Sequence, residues 1–412
     1  MSRWRVLTFG LMTAVLASGY GVVFTVLDDF RDDYGIGEIW LGLIVGVGFF
    51  AGFVSQVFIA PFADRGHARR LVLGGLLLNI VGLLAMAVGE SLVPLLAGRL
   101  VMGLGAGMAV PAVRRIVISG DPDHLGKNLG LLLSADVAGF ATGPVVAALF
   151  VPTLGIAAPF LVIAGLVVAC IPVVLRVQVT EDPPGDQVGE ERHRLAVDLL
   201  GQRGLVAALL MGSAVFLMIG TFDALWAIVL DDLEASELVS NIGITIFALP
   251  LVFLGSYGGS LAQRVGPFRL GPLGLLLGAG FMFLYGLMPT GMLMLAVGIV
   301  HSISDGLTVA STGVAVAMTA PKQRQAGAQG LLGAAETLTA GVTSVMAGVL
   351  YSVGGRTLAY GACTVGMLAL VTASYVLAGP EFRARRGVDD DGRDLGGADE
   401  GDAPDHAVVA VI

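Results

Sequence analysis

Twelve stretches of about 20 mainly apolar residues recur along this chain, and each is long enough to cross a lipid bilayer as an α-helix. In the first half, the predicted spans are Val6–Leu27, Trp40–Phe62, Leu71–Val88, Leu92–Val113, Leu129–Val151 and Ile156–Leu175. In the second half, they are Gly204–Leu230, Val239–Leu261, Leu270–Met288, Met292–Ala317, Ala326–Leu350 and Leu358–Leu377. The pattern predicts an all-α membrane protein of twelve transmembrane helices.

The composition requires a lipid environment. Hydrophobic residues make up 56% of the chain and charged residues only 13%, with a mean hydropathy of +0.86. A soluble protein of 412 residues has no core large enough to bury so much apolar surface, so the lipid bilayer is a predicted partner. Because the first apolar run continues to Leu27, we expect it to stay as a span rather than to be cleaved as a signal peptide.

The positive charges predict the orientation. With the N-terminus assigned to the cytoplasm, only Arg31 and Arg356 of the 23 Lys and Arg residues fall outside, and Arg99 lies within a helix. The remainder fall inside, including Arg114 and Arg115, which are predicted to lie in an inside loop. Positive residues near helix ends resist translocation. We therefore predict a multi-pass protein of the inner (plasma) membrane with both termini in the cytoplasm.

The hydrophilic stretches predict the domain boundaries. Residues 1–176 and 204–379 form two six-helix halves, and residues 177–203 form a cytoplasmic linker that contains Pro183-Pro184-Gly185. Residues 380–412 are rich in Asp, Gly and Arg without helical periodicity, which predicts a disordered cytoplasmic tail.

The two halves are related by an internal repeat. Three motifs recur at offsets of 203, 199 and 200 residues: VLDDF at 26–30 with VLDDL at 229–233, PFADRGH at 61–67 with SLAQRVG at 260–266, and GLLLSAD at 130–136 with GLLGAAE at 330–336. The last pair places Asp136 and Glu336 at the same position of helices 5 and 11. Since the motifs recur in the same order, the halves share one orientation and are related by an axis along the membrane normal.

The loop after the second helix carries a family resemblance. Its sequence APFADRGHAR at 60–69 resembles the G-x-x-x-D-R-x-G-R-R signature of the major facilitator superfamily, with Asp64, Arg65 and Arg69 in matching positions. The resemblance extends from about Val6 to Leu377 and implies two parallel-repeat six-helix halves, the major facilitator fold. It also implies that the acid lies near a helix N-terminus of the other half, with an Arg partner, and holds one state closed.

Two further helices resemble signatures of this family. Helix 4 carries LLAGRLVMGLGAG at 95–107, similar to the R-x-x-Q-G-x-G motif, with Met102 in place of the Gln. Helix 5 carries GFATGPVVAA at 139–148, which resembles the G-x-x-x-G-P-x-x-G-G signature of the drug:proton antiporter branch. Gly139 and Gly143 share one helix face, and Pro144 favours a bend. Together with Asp64, Arg65 and Arg69, these three residues are our conformational-gate candidates.

Few ionisable residues lie inside the predicted spans, and such residues usually pair or face a wet cavity. A poorly solvated carboxyl group can exchange a proton near neutral pH. The proton-coupling candidates are Asp136, Glu336, Asp305, His301 and Arg99, and the substrate-cavity candidates are Asp223, Trp226 and Tyr20. Alternatives stay open: Arg99 reaching the outer surface, Asp223 lining the external mouth, and a purely structural hydrogen bond between His301 and Asp305, one helical turn apart.

The resemblance and the buried acids together predict a secondary active transporter that exports small amphipathic or drug-like molecules in exchange for protons by alternating access. One alternative is a proton-coupled uptake symporter or uniporter for a metabolite such as a sugar or an organic acid. Another is a scaffold or receptor that does not transport. The chain has no Walker A, HExxH, GxSxG or CxxC pattern. We therefore expect a protein that is not an enzyme and that has no cofactor and no metal. We also expect a monomer with no nucleic-acid partner.

Overall fold

The computed structural model describes residues 3–176, 195–235 and 237–384, and these ranges contain helices and no β-strand. The α-helices are α1 (Arg3–Thr25), α2 (Leu27–Tyr34), α3 (Glu38–Phe58), α4 (Ala68–Val88), α5 (Leu92–Gly120), α6 (Leu125–Leu154), α7 (Ala157–Arg176), α8 (Arg203–Asp232), α9 (Glu237–Val265), α10 (Pro267–Tyr285), α11 (Gly291–Thr308), α12 (Ser311–Thr319) and α13 (Gln325–Ala384). Short 3-10 helices lie at Ala60–Arg65, Pro122–His124, Val197–Gly201 and Lys322–Arg324.

Twelve membrane crossings can be assigned in the described part of the chain. Ten helical segments are long and apolar enough to cross a bilayer. One of them, Lys322–Pro380, has 59 residues and leaves the helical conformation at Gly354 and Gly355, so it makes two crossings. The 29-residue α9 supplies the last one. The predicted all-α, twelve-helix architecture is confirmed.

Several predicted boundaries differ from the structure. The prediction ended helix 4 at Val113, but α5 continues to Gly120, so Arg114 and Arg115 lie in a helix and not in a loop. Hydropathy detects only the part of a helix that lies in the hydrocarbon layer, whereas this helix extends beyond it. Likewise α13 passes Pro380 and ends at Ala384, and a 3-10 helix occupies the end of the predicted linker. Residues 177–194 and 385–412, which include most of the linker and of the tail, lie outside the described residues.

The buried apolar residues form two clusters, one mainly in each half. In the N-terminal half, Phe9, Leu76 and Phe160 are fully buried, and in the C-terminal half Tyr285 and Tyr360 are fully buried. Large apolar side chains remain exposed around the bundle, as expected where the solvent is lipid: Trp4, Ile39, Phe253, Val353. Helix packing in lipid depends on close approach of small residues rather than on water exclusion. The fold therefore has an apolar exterior as well as an apolar core.

The two ends of the bundle carry opposite charge. One end, which we call the basic end, is formed by the loops around Arg65, His124, Arg264 and Arg324. The opposite end, the acidic end, includes α2, whose eight residues LDDFRDDY contain four Asp and one Arg. Only Phe30 of α2 is buried, so its acidic residues face outward. This charge division follows the pattern that orients helical membrane proteins.

Candidate functional site

Asp64 joins the two halves at the basic end. Its carboxylate accepts hydrogen bonds from the backbone N–H groups of Ala326 (2.9 Å) and Gly327 (2.8 Å), at the first turn of α13. The same carboxylate pairs with the guanidinium of Arg115 at 3.0 Å, and both side chains are at most 5% exposed. A helix N-terminus carries unpaired N–H groups and partial positive charge, so it favours an anion. We call this group of contacts the Asp64 cap.

Gln263, the repeat mate of Asp64, makes the corresponding contact from the C-terminal half. Its side-chain oxygen accepts a hydrogen bond from the N–H of Gly126 at 2.7 Å, in the first turn of α6. Its amide nitrogen donates to the carbonyl of Asp123, also at 2.7 Å. The side chain is buried. We call this pair of hydrogen bonds the Gln263 cap; it differs from the Asp64 cap in carrying no charge.

Glycines bring the helices into backbone contact beside these caps. Gly126 and Gly130 of α6 lie directly against Gly259 and Gly255 of α9, and we call this line of contacts the glycine seam. A Cβ atom on Gly126, Gly130 or Gly259 would overlap backbone atoms, and one on Gly255 would overlap the hydroxyl of Ser134. Ser134 donates a hydrogen bond to the carbonyl of Leu251 at 3.1 Å along the same seam. Among the described residues, every hydrogen bond between the halves lies toward the basic end. The halves are therefore joined at that end.

Above this closed seam, Asp136 and Glu336 lie deep in the bundle. Asp136 is exposed although it lies 11 residues inside α6, and it interacts electrostatically with Glu336 on the other half. Arg114 interacts with both carboxylates, and its guanidinium also contacts Gln329 at 3.4 Å. Glu336 is 8% exposed and packs against Gly212. Neither carboxylate makes a hydrogen bond to a described residue, so the two repeat mates are not locked in side-chain pairs.

Arg99 is buried in the N-terminal half rather than reaching a surface. Its side chain is fully buried, and its guanidinium lies 4.2 Å above the ring of Tyr20 and 5.7 Å from that of Phe49. None of its three nitrogens has a hydrogen-bond partner among the described residues. Tyr20 is half-buried, donates to the carbonyl of Met102 and interacts electrostatically with Asp136. Cation–π contacts therefore take the place of a carboxylate partner.

The C-terminal half holds a buried polar chain. The hydroxyl of Tyr285 contacts Nδ1 of His301 at 3.0 Å, and Nε2 of His301 lies 3.4 Å from the carboxylate of Asp305. Asp305 lines a small cavity together with the hydroxyl-bearing residues Thr308 and Thr312. The predicted proximity of His301 and Asp305 is thus present, and Tyr285 extends the chain.

The substrate-cavity candidates lie in different surroundings. Asp223 is exposed although it lies within α8, and it has no hydrogen-bond partner among the described residues. Trp226, one turn further along, is only 2% exposed and stacks on Phe222 at 4.6 Å. It also meets the ring of Tyr285 edge-on at 5.9 Å. Asp223 therefore presents a carboxylate, whereas Trp226 packs in the aromatic core behind it.

The remaining gate candidates have mainly packing roles in this conformation. Gly139 lies on the backbone of Ala14 and Gly143 on that of Gly21, so α6 and α1 meet in backbone contact. Pro144 follows within α6 and is exposed. Of the two arginines that match the loop signature, Arg65 lies over the ring of Phe62 and Arg69 donates to the carbonyl of Leu175.

Sequence reasoning did not identify Arg115, Arg114 or Gln263 as site residues. No sequence pattern indicates Arg115, because its pairing with Asp64 depends on how α5 packs beside the segment after α3. For Gln263 a signal existed, since the repeat aligns it with Asp64.

Comparison with known proteins agrees with this architecture. The family model described as "Major Facilitator Superfamily" matches residues 9–231 and 208–395. The "Quinolone resistance protein NorA" of Staphylococcus aureus (strain MRSA252) is 34% identical over 131 residues, which are 31% of this chain and 33% of NorA. The "Multidrug resistance protein MdtG" of Serratia proteamaculans (strain 568) is 22% identical over 239 residues, 57% of this chain and 58% of MdtG. The chain thus matches about a third of the length of NorA.

A solved structure shares the fold. The crystal structure of the Major Facilitator Superfamily transporter FucP in the outward conformation superposes with a TM-score of 0.72 at 14% identity, covering 90% of this chain and 98% of FucP. The two matches of the family model together cover most of the chain, and the structure has the twelve-helix fold. The chain therefore belongs to the Major Facilitator Superfamily of membrane transporters.

Proposed function

We propose that this protein is a proton-coupled exporter of small amphipathic or drug-like molecules that works by alternating access. The observation that carries the proposal is the pair of repeat-related carboxylates, Asp136 and Glu336, which lie between the halves and have no hydrogen-bonded partner in the part of the chain that the structure describes. A carboxylate in such surroundings can bind either a proton or a cationic group of a substrate. Exchange requires that the proton and the substrate occupy the carboxylate in turn and never together.

The charge division supports an orientation for this exchange. Positive residues favour the cytoplasmic side, so we assign the basic end to the cytoplasm and the acidic end to the outside. Both caps and the glycine seam then close the cytoplasmic side. The conformation described here is accordingly outward-facing, the state in which an exporter releases its substrate and takes up protons.

The surroundings of the carboxylates support the substrate class. Asp223 adds a third carboxylate that no described residue pairs with, and the rest of the helices supply mainly apolar side chains. This combination favours a cationic or neutral amphipathic molecule over an anion. The names of the relatives NorA and MdtG, a quinolone and a multidrug resistance protein, agree with this class.

Buried polar groups offer a route for the proton within each half. In the C-terminal half, the chain of Asp305, His301 and Tyr285 consists of groups that donate and accept protons. In the N-terminal half, Arg99 lies over the ring of Tyr20, and Tyr20 interacts electrostatically with Asp136. We assign Asp136 and Glu336 the exchange of proton and substrate, and the two buried groups a supporting role.

A flux assay in liposomes tests the proposal. Purified protein is reconstituted with a pH-sensitive dye inside, and proton movement is followed when an amphipathic cation is added, in parallel with a sugar and an organic acid. We expect the cation to drive proton counterflow in the wild type. Glu336→Gln and Asp136→Asn should each reduce the coupled flux at least about ten-fold, because the amide cannot exchange a proton.

Asp33→Asn is the matched control, because this carboxylate is exposed on α2 at the acidic end and should leave the flux unchanged. Unchanged flux in both Glu336→Gln and Asp136→Asn would remove the proton-site assignment. Proton movement in the same direction as a sugar or an organic acid would instead identify an uptake symporter. No flux with any compound, in protein that folds normally, would favour a scaffold or receptor.

A further inference from the structure

The Gln263 cap is a second contact between the halves, separate from the Asp64 cap. Gln263 belongs to the C-terminal half, yet both of its side-chain hydrogen bonds are made to the N-terminal half, to the N–H of Gly126 and the carbonyl of Asp123. At 4% exposure the amide is removed from water, so these bonds have little competition from solvent. Losing one partner would leave a buried donor or acceptor unsatisfied.

The position of Gln263 repeats that of Asp64 in detail. Asp64 binds the N–H of Ala326, the second residue of α13, and Gln263 binds the N–H of Gly126, the second residue of α6. Ala326 and Gly126 are themselves separated by the 200-residue offset of the repeat. Each half thus extends one side chain from the cytoplasmic end of its second span, Asp64 in the 3-10 helix Ala60–Arg65 and Gln263 in the last turn of α9, onto the helix start of the other half.

We infer that Gln263 is a second latch of the basic end, which stabilises the closed state together with Asp64 and does so without charge. This inference rests on the alternating-access part of the proposed function and is independent of which ion or substrate is carried. A carboxylate at position 263 would accept from Gly126 but would face the carbonyl oxygen of Asp123, whereas the amide satisfies both groups. The chemistry of the glutamine therefore fits the two partners that the fold provides.

The neighbouring contacts make the latch cooperative with the seam. Gly259 lies four residues before Gln263 in α9, and its backbone contacts that of Gly126. The hydroxyl of Ser256, also in α9, donates a hydrogen bond to the carbonyl of Lys127. Opening the basic end requires these contacts to break together with the amide hydrogen bonds. Gln263 consequently contributes to the free-energy difference between the closed and open states, rather than to the stability of one half.

Distance measurements between spin labels test the latch directly. Cys170 and Cys363 are first replaced by Ala, and two labelled pairs are then made from exposed positions. One pair, Arg70→Cys with Gln323→Cys, reports the separation of the halves at the basic end. The other pair, Asp33→Cys with Asp231→Cys, reports the acidic end.

In the wild type, we expect mainly short distances at the basic end. Gln263→Ala should raise the ratio of open to closed basic ends about ten-fold, with a matching shift to shorter distances at the acidic end. Gln263→Glu should shift both distributions in the same direction, because its buried carboxylate would face the carbonyl oxygen of Asp123 in the closed state. Gln202→Ala, at an exposed glutamine whose side chain caps nothing, should leave both distributions unchanged.

The distance distributions separate this inference from the transport proposal, because they are recorded without substrate or pH gradient. Unchanged distributions in both Gln263→Ala and Gln263→Glu, with Asp64→Ala shifting them, would overturn the second latch and leave the exchange proposal intact. A shift at the basic end in protein that shows no proton-coupled flux would support the latch while the proposed function fails. A lowered melting temperature for Gln263→Ala without any shift would assign Gln263 to folding and overturn the inference.

Discussion

The two caps at the basic end perform the same geometric task with different chemistry. The Asp64 cap places a buried anion between a guanidinium and a helix N-terminus, whereas the Gln263 cap uses two neutral hydrogen bonds. The charged contact is stronger but costs more when it is broken, because each separated charge must stay buried or regain water. A duplicated fold can therefore keep one closing geometry while its two copies differ in their sensitivity to charge.

The largest expected effect comes from the seam beside the neutral cap. Gly130→Val should prevent closure of the basic end, because even a Cβ atom there would overlap the backbone of Gly255. We expect the closed state to be lost in distance measurements and coupled transport to fall to background. Gly165→Val is the control, since nothing lies within 4 Å of a Cβ atom at that position. A closed basic end in Gly130→Val would show that the seam does not limit the approach of the helices.

Removing the anion of the charged cap should have the next largest effect. Asp64→Ala leaves the guanidinium of Arg115 buried without its carboxylate and two N–H groups of α13 without an acceptor. Breaking such a buried pair costs about 3–5 kcal/mol, so the open basic end should become the major state. Spin-label distances measure the shift. An effect smaller than that of Gln263→Ala would reverse our ranking of the two caps.

Removing the cation should cost less than removing the anion. In Arg115→Gln, the carboxylate of Asp64 keeps both hydrogen bonds from the start of α13, where the helix favours negative charge. We expect a destabilisation of the closed state of about 1–2 kcal/mol. The same distance measurements provide the test. Equal effects of Arg115→Gln and Asp64→Ala would mean that the ion pair, and not the helix cap, carries the stabilisation.

The smallest effect should come from a charged pair that is not buried. Asp198 and Arg324 pair at 2.7 Å beside the same helix start, but their side chains are 30% and 26% exposed. Because water competes for both groups, Asp198→Ala should change the closed state by less than about 1 kcal/mol. High salt should reduce this contribution further and leave the Gln263 cap unaffected. A shift as large as that of Asp64→Ala would show that burial does not separate the two pairs.

The candidate site was only partly predictable from the sequence. The family signature predicted that Asp64 would meet a helix start of the other half with an Arg partner, and the structure contains both contacts. The partner is Arg115 and not Arg65 or Arg69, because the choice depends on the rotation of α5 about its axis. Similarly, the one-turn spacing brought His301 near Asp305, but Tyr285 joins them from another helix.

Local composition predicted the twelve apolar spans and the basic and acidic ends from the residues alone. The duplication predicted the equivalence of Asp136 with Glu336 and of Asp64 with Gln263. Each follows from the transfer of side chains between water and lipid or from register within a repeat, which a one-dimensional pattern records. Three-dimensional packing set which end is closed, buried Arg99 without a hydrogen-bonded partner among the residues that the structure describes, and brought Gln263 against Gly126. These outcomes depend on the distances between helices far apart in the chain, which packing alone sets.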